Sequence, residues 1–228
     1  MKKDKAFTDW MNFYCKQNKG LMWPNETLVR LFKGSYMPGV RKNYKGKKVL
    51  EVGFGVGNNL MFCGTLDMEL FGVEVHKDIC DHATKRMEEL GHNADLKVGK
   101  NSKIPFKDNS FDYIVSWDVL HYEGREDLIV KAISEYSRVL KPGGRFFIST
   151  VAPKHTILRK SKTLGNHQYE IGREDDFRKG ETFFYFDSKE YIKFYFSKYF
   201  SKIDVGRVTL DYFTEVNDTF IITAVNNK

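Results

Sequence analysis

The sequence predicts an α/β fold: a mostly parallel sheet with helices on both faces. Three observations carry this. Short apolar runs alternate with amphipathic segments from Lys47 onward. The first run leads directly into closely spaced glycines, Gly53, Gly55 and Gly57. Two final apolar runs, 202–210 and 219–225, have only about eight residues between them, which suits an antiparallel pair because a parallel crossover needs about a dozen or more.

The elements follow in order. The first 45 residues read as an aromatic helical cap, with Phe7, Trp10, Met11, Phe13 and Tyr14, then 27–32, broken by Pro24, Gly34, Pro38 and Gly39. Residues 46–228 form the main domain. Its strands are predicted at 48–52, 70–75, 94–98, 111–116 and 145–151. Helices are predicted at 59–66, at 78–90 with Ile79, Ala83, Met87 and Leu90 in register, and at 126–140. This last helix carries Ile129, Ala132, Ile133, Tyr136, Val139 and Leu140 on one face. Pro142-Gly143-Gly144 stops it. Residues 152–187 break the rhythm and read as a polar, irregular insert, after which Ser188 caps a helix to about Lys198.

Composition bounds the function. The chain has 228 residues, 41% hydrophobic and 29% charged, which excludes wholesale disorder. Lys and Arg number 37 against 30 Asp and Glu, a net charge of +7 that favours anionic partners. Three unpaired cysteines, Cys15, Cys63 and Cys80, argue for a reducing compartment. No CxxC pair or His/Cys cluster points to a metal. The N-terminal MKKDKAFTDW has no signal-peptide core, and no run approaches the roughly 18 apolar residues of a membrane span. A cytoplasmic location without membrane partners is the expectation.

The strongest chemical signal is VLEVGFGVGNN at 49–59. Alternate glycines after a buried strand let the backbone turn tightly and approach a ligand. A dinucleotide site wants GxGxxG, and here position 58 is Asn, so the pattern is GxGxG. Glu51 would repel a pyrophosphate but suits a cationic sulfonium or amino group. Glu74 closes the second strand, where a carboxylate can accept both hydroxyls of a ribose.

With IPFKDNSFDYIVSWDVLHY (104–122) and RVLKPGGRFFIST (138–150), this motif resembles class I S-adenosylmethionine-dependent methyltransferases of the type 11 branch. The resemblance covers about residues 46–151 and is specific for fold and cofactor, not for acceptor. It implies a Rossmann-like seven-stranded sheet with the last strand antiparallel, S-adenosylmethionine as cofactor and S-adenosylhomocysteine as product. It implies that Glu51, Gly53, Gly55, Gly57 and Asn58 face the methionine and ribose, and that Glu74 and Val75 hold the ribose. Asn101 and Ser102 would meet the adenine, since Lys100 stands where many members carry an Asp acceptor. Trp117 and Asp118 would wall the cofactor. The related lid would be Tyr14, Trp23 and Arg30.

His121 is the candidate general base, and Tyr14 of the lid is the second candidate catalytic residue. Tyr122 and the insert residues His155, Arg159, His167 and Arg173 are the candidate acceptor contacts. The stretch 154–179 holds seven Lys or Arg against four acids, suiting a small anionic acceptor, phosphorylated or nucleotide-linked. An Asn/Asp-Pro-Pro-aromatic signature at 116–119, a nucleophilic Cys in that region and acidic metal ligands after the fifth strand are all missing, which sets aside three other methylation chemistries. Two alternatives stay open: an RNA-modifying or RNA-binding protein, resting on the +7 charge alone, and a nicotinamide-dependent oxidoreductase, disfavoured by Glu51 and Asn58.

Overall fold

The computed structural model describes residues 23–37, 43–174 and 176–228. Tyr14 and the rest of the cap before Trp23 lie outside the described residues. Within the cap, Glu26–Lys33 forms helix α1, whose N-cap Asn25 accepts from the Thr27 and Leu28 N–H groups. It buries Leu28 and Phe32 against Tyr44, Phe62 and Phe147.

The main domain runs β1 (Lys48–Val52), α2 (Asn58–Gly64), β2 (Glu69–Glu74), α3 (Lys77–Glu89), β3 (Ala94–Val98), β4 (Phe111–Ser116), α4 (Glu126–Val139) and β5 (Leu140–Val151). The insert holds β6 (Lys162–Gly165), β7 (Gln168–Glu170) and β8 (Thr182–Phe184). The chain closes with α5 (Lys189–Phe196), β9 (Phe200–Tyr212) and β10 (Glu215–Asn226).

The main sheet has the order β3-β2-β1-β4-β5-β10-β9, with β10 antiparallel to both neighbours and the other pairings parallel. This is the seven-stranded sheet that the resemblance implied. β1 pairs with β2 and β4 along its edges and packs into a core on each face, so it reads as a mostly apolar run. Leu50 and Val52 join the core beneath α4 and α5, whereas Val49 joins the core beneath α1, α2 and α3. The chain order reverses between β1 and β4, which places a ligand crevice beyond their carboxyl ends.

Two expectations need correction. The insert is not irregular: β6, β7 and β8 make a small antiparallel sheet. Its first turn is Asn166-His167, both at positive φ (48° and 59°), the backbone of a tight hairpin turn. All four β6 residues are exposed, so no apolar alternation marks the strand. The last two strands are also longer than expected and meet in a two-residue turn, Phe213-Thr214. β9 is a sheet edge with mostly exposed side chains, which hides its period.

The insert is tied to the sheet by Asp218, whose side chain is fully buried. Its carboxylate accepts from Arg207 Nε (2.7 Å) and Nη2 (2.6 Å), Thr209 Oγ1 (2.7 Å) and the Lys154 N–H (2.6 Å). A small core of Val151, Ile157, Ile171 and Phe183, joined by Tyr122, then seats the insert over the end of β5. No helix among the described residues is long and apolar enough to cross a membrane.

Candidate active site

The glycine turn joins β1 to α2. Gly53, Gly55 and Gly57 all have positive φ (74°, 54° and 83°), a region costly for residues with a Cβ. At Gly53 the constraint is also steric: a Cβ would lie 2.4 Å from Val119 Cγ2. The turn therefore presents bare backbone at the sheet's carboxyl edge.

Glu51 points into this turn and is 2% exposed. One oxygen, Oε1, accepts from Asn59 Nδ2 at 2.8 Å. The other, Oε2, is buried and has no hydrogen-bond partner among the described residues. Burial pushes the Glu51 carboxyl up to about 8, against the pull of Asn59 and the Leu60 N–H. A buried carboxylate oxygen without a donor is costly, so its presence beside a backbone cradle marks a place for a cationic group. Asn58 Oδ1 is likewise buried without a partner. Glu74 accepts from the Gly55 N–H (3.2 Å) and the Val75 N–H (2.7 Å), which fixes it at the mouth of the turn. Val75 is partly exposed beside it.

Asn101 and Ser102 are buried. Both bond Glu123, and the Tyr136 hydroxyl bonds the Asn101 side chain and, at 3.0 Å, Ser116. This network fixes the loop that follows β3. Neither Trp23 nor Arg30 closes over the turn here. Trp23 is 73% exposed, and Arg30 pairs on the surface with Glu26 (2.6 Å) and the Tyr36 hydroxyl. Its i,i+4 spacing from Glu26 satisfies the guanidinium locally.

A second group gathers after β4. Trp117 is half-buried against the core that includes Val115 and Phe147. Asp118 has positive φ (55°), a strained backbone held by Ser149, whose Oγ accepts from the Asp118 N–H and donates to its carboxylate, each at 2.7 Å. His121 is 2% exposed, its ring 4.6 Å from those of Tyr122 and Phe183. Burial, then the charge of Arg178 and the nearby His155, hold its pKa well below the ordinary imidazole value. It stays neutral, so it can accept a hydrogen bond but is a weak base.

Arg178, a basic residue of the insert, reaches this group. Its Nε and Nη2 donate to Asp176 at 2.8 and 2.6 Å, and Nη1 donates to the Tyr122 hydroxyl at 3.2 Å. It also acts electrostatically on Asp118, His121 and His155. Of the insert residues singled out from the sequence, His155 lies close enough to act on His121 and to feel Arg178, whereas His167 and Arg173 pair with residues outside this group. His167 stacks on Tyr191 (4.3 Å) beside Asp187, because the hairpin turn faces α5. Arg173 pairs with Glu215 at 3.0 Å. His155 caps a short turn by accepting from the Ile157 N–H, and with Arg159 lines a surface groove of about 480 Å³ against the β9–β10 hairpin. No three His, Cys, Asp or Glu side chains gather to hold a metal ion among the described residues.

Comparison with known proteins agrees with this geometry. Residues 49–144 match the family model described as a methyltransferase domain. An uncharacterized methyltransferase, YcgJ of Bacillus subtilis, is 31% identical over 113 residues, 49% of this chain and 44% of that protein. Alignments with such curated relatives span less than half of those proteins' length. Among solved structures, a SAM-dependent methyltransferase of Methanosarcina mazei superposes with a TM-score of 0.69 at 21% identity, covering 81% of this chain and 95% of that one. A phosphoethanolamine N-methyltransferase 2 of Haemonchus contortus, in complex with phosphomonomethylethanolamine and S-adenosylhomocysteine, superposes with a TM-score of 0.66 at 17% identity. It covers 98% of this chain and 56% of that one.

Proposed function

We propose that this chain, which carries a class I S-adenosylmethionine-dependent methyltransferase domain, methylates an oxygen or nitrogen of a small anionic molecule. The observation that carries the reading is the unpartnered Glu51 Oε2 at the glycine turn. Glu51 would accept from the cofactor's ammonium, the backbone at Gly53, Gly55 and Gly57 would lie along its methionine and ribose, and Glu74 would accept from the ribose hydroxyls. When bound, the cofactor supplies a methyl group on a sulfonium, open to in-line displacement.

The chain's own task is then to position the acceptor. Asp118, His121 and Tyr122 follow directly on β4, at the carboxyl edge of the sheet. His121 offers a neutral ring that orients an acceptor hydroxyl or amine. Arg178 supports the anionic character of the acceptor. A guanidinium has five N–H donors and three of them are engaged here, with Asp176 and Tyr122, which leaves donors for a phosphate or carboxylate. The complex of the Haemonchus relative with a phosphorylated amine supports the same acceptor class.

The test is a calorimetric titration with S-adenosylhomocysteine, with NADH as control. Micromolar binding is expected, weakened about tenfold or more by Glu74→Ala through lost hydrogen bonds to a partly buried carboxylate, and no NADH binding. Turnover is then followed on phosphorylated amines and alcohols and their dephosphorylated counterparts. Turnover confined to the phosphorylated set is the expected result. Equal turnover of both sets contradicts the anionic acceptor, and NADH binding without S-adenosylhomocysteine binding contradicts the cofactor.

A further inference from the structure

Asn59 is the second residue of α2 and follows the glycine turn. Its side chain has two partners from opposite directions. Nδ2 donates to Glu51 Oε1 at 2.8 Å, and Oδ1 accepts from the Asn25 N–H at 2.9 Å. Asn25 is itself the N-cap of α1, accepting from Thr27 N–H (3.0 Å) and Leu28 N–H (3.3 Å). One amide therefore links the end of β1 to the start of the cap helix, and it does so across the 34 residues that separate Asn25 from Asn59. Only one orientation of that amide satisfies both partners, since a carboxylate needs a donor and an N–H needs an acceptor.

The consequence for Glu51 is directional. With Oε1 tied to Asn59, the free oxygen Oε2 is held toward the turn. The consequence for α1 is that its N-cap residue is fixed to the same amide. We propose that Asn59 is a positioning residue that orients Glu51 for the cofactor's ammonium and couples occupancy of that subsite to the anchoring of the α1 N-terminus. This rests on the methyltransferase reading, because it takes the ammonium as the ligand of Glu51.

The effect is confined to the amino-acid end of the ligand, which gives a discriminating pair of probes. S-adenosylhomocysteine carries the ammonium; 5′-methylthioadenosine shares the nucleoside and thioether but lacks it. Asn59→Leu is expected to weaken S-adenosylhomocysteine about tenfold or more while changing 5′-methylthioadenosine less than twofold. Asn59→Asp keeps an acceptor for the Asn25 N–H but sets a carboxyl against Glu51, so it is expected to show the same selective loss. In the wild type, S-adenosylhomocysteine is expected to slow amide hydrogen exchange over residues 25–33. That slowing is expected to vanish in Asn59→Leu and to be absent with 5′-methylthioadenosine. Equal weakening of both probes would mean that Asn59 only supports the turn, and unchanged binding of both would mean that it does not orient Glu51. Either result overturns the proposal. Failure of the wild type to bind either probe would instead overturn the cofactor assignment on which it rests.

Discussion

Glu51→Gln is expected to lower S-adenosylhomocysteine affinity by about 100-fold while leaving 5′-methylthioadenosine binding within about twofold. The substitution is nearly isosteric and keeps an oxygen to accept from Asn59. It removes the charge that Glu51 takes on when it faces an ammonium, at an oxygen, Oε2, with no other partner among the described residues. The loss therefore reports a desolvated charge pair rather than a rearranged turn. Affinity falls while stability moves the other way. Burial raises the Glu51 carboxyl to about 8, with Glu74 adding like charge and the Cys63 thiol packed nearby. The folded protein therefore binds more protons than the unfolded chain between the ordinary glutamate value and about 8. Stability of the ligand-free wild type falls as pH rises through that window, by at most about 1.4 kcal/mol per pH unit, and levels off above it. The glutamine amide does not titrate. Chemical denaturation at several pH values is thus expected to show the variant gaining on the wild type from about pH 5 upward, with no further gain above pH 8. A variant that loses stability at pH 8 would contradict the account of Glu51 as a residue kept for binding at a cost to the fold.

Asp218→Ala is expected to destabilise the protein by about 3 kcal/mol, chiefly by releasing the insert. Four donors converge on this carboxylate, and one of them is the Lys154 N–H at the point where the chain leaves β5. Alanine leaves that partly buried N–H and the Arg207 guanidinium without their acceptor. Burial alone would raise the Asp218 pKa, but Arg207, Thr209 and the Lys154 N–H hold it below the ordinary aspartate value. Its contribution is therefore complete above about pH 4 and is lost as pH falls further toward the lowered folded value. Denaturant unfolding at pH 7 measures the loss, and the difference between wild type and variant is expected to shrink on acidification below pH 4. Because Arg178 and Asp176 ride on the insert, limited proteolysis is expected to cut within 154–187 earlier in the variant.

How much of this was legible in the sequence follows burial. β1 and β4 are covered on both faces, so their apolar runs announce them, and α4 shows its inward stripe at Ile129, Ile133 and Tyr136. The glycine turn was legible because positive φ beside a close side chain admits little else. Elements that pack on one side or on none left weaker traces. β6 is wholly exposed, and β9 is a sheet edge, so neither shows a clean period. The candidate cofactor carboxylates, Glu51 and Glu74, were found from spacing alone, and the structure places both at the turn. Asn59 was missed beside Asn58 because its role depends on Asn25, far away in sequence. Arg178 was hidden among seven basic residues of the insert, and only the fold shows which of them reaches Tyr122. The Asn166-His167 pair was a readable signal, since Asn tolerates the left-handed region that a two-residue hairpin turn needs.

The most direct test of the role given to Glu51 is the count of protons released when S-adenosylhomocysteine binds at pH 7. It is measured by calorimetry in two buffers that differ in ionisation enthalpy. With the ligand-free carboxyl at about 8, Glu51 carries about nine-tenths of a proton at pH 7 and must give it up to face an ammonium. The account predicts release of close to one proton by the wild type and its disappearance in Glu51→Gln. Tight binding with no proton released, or the same release in both proteins, would contradict it.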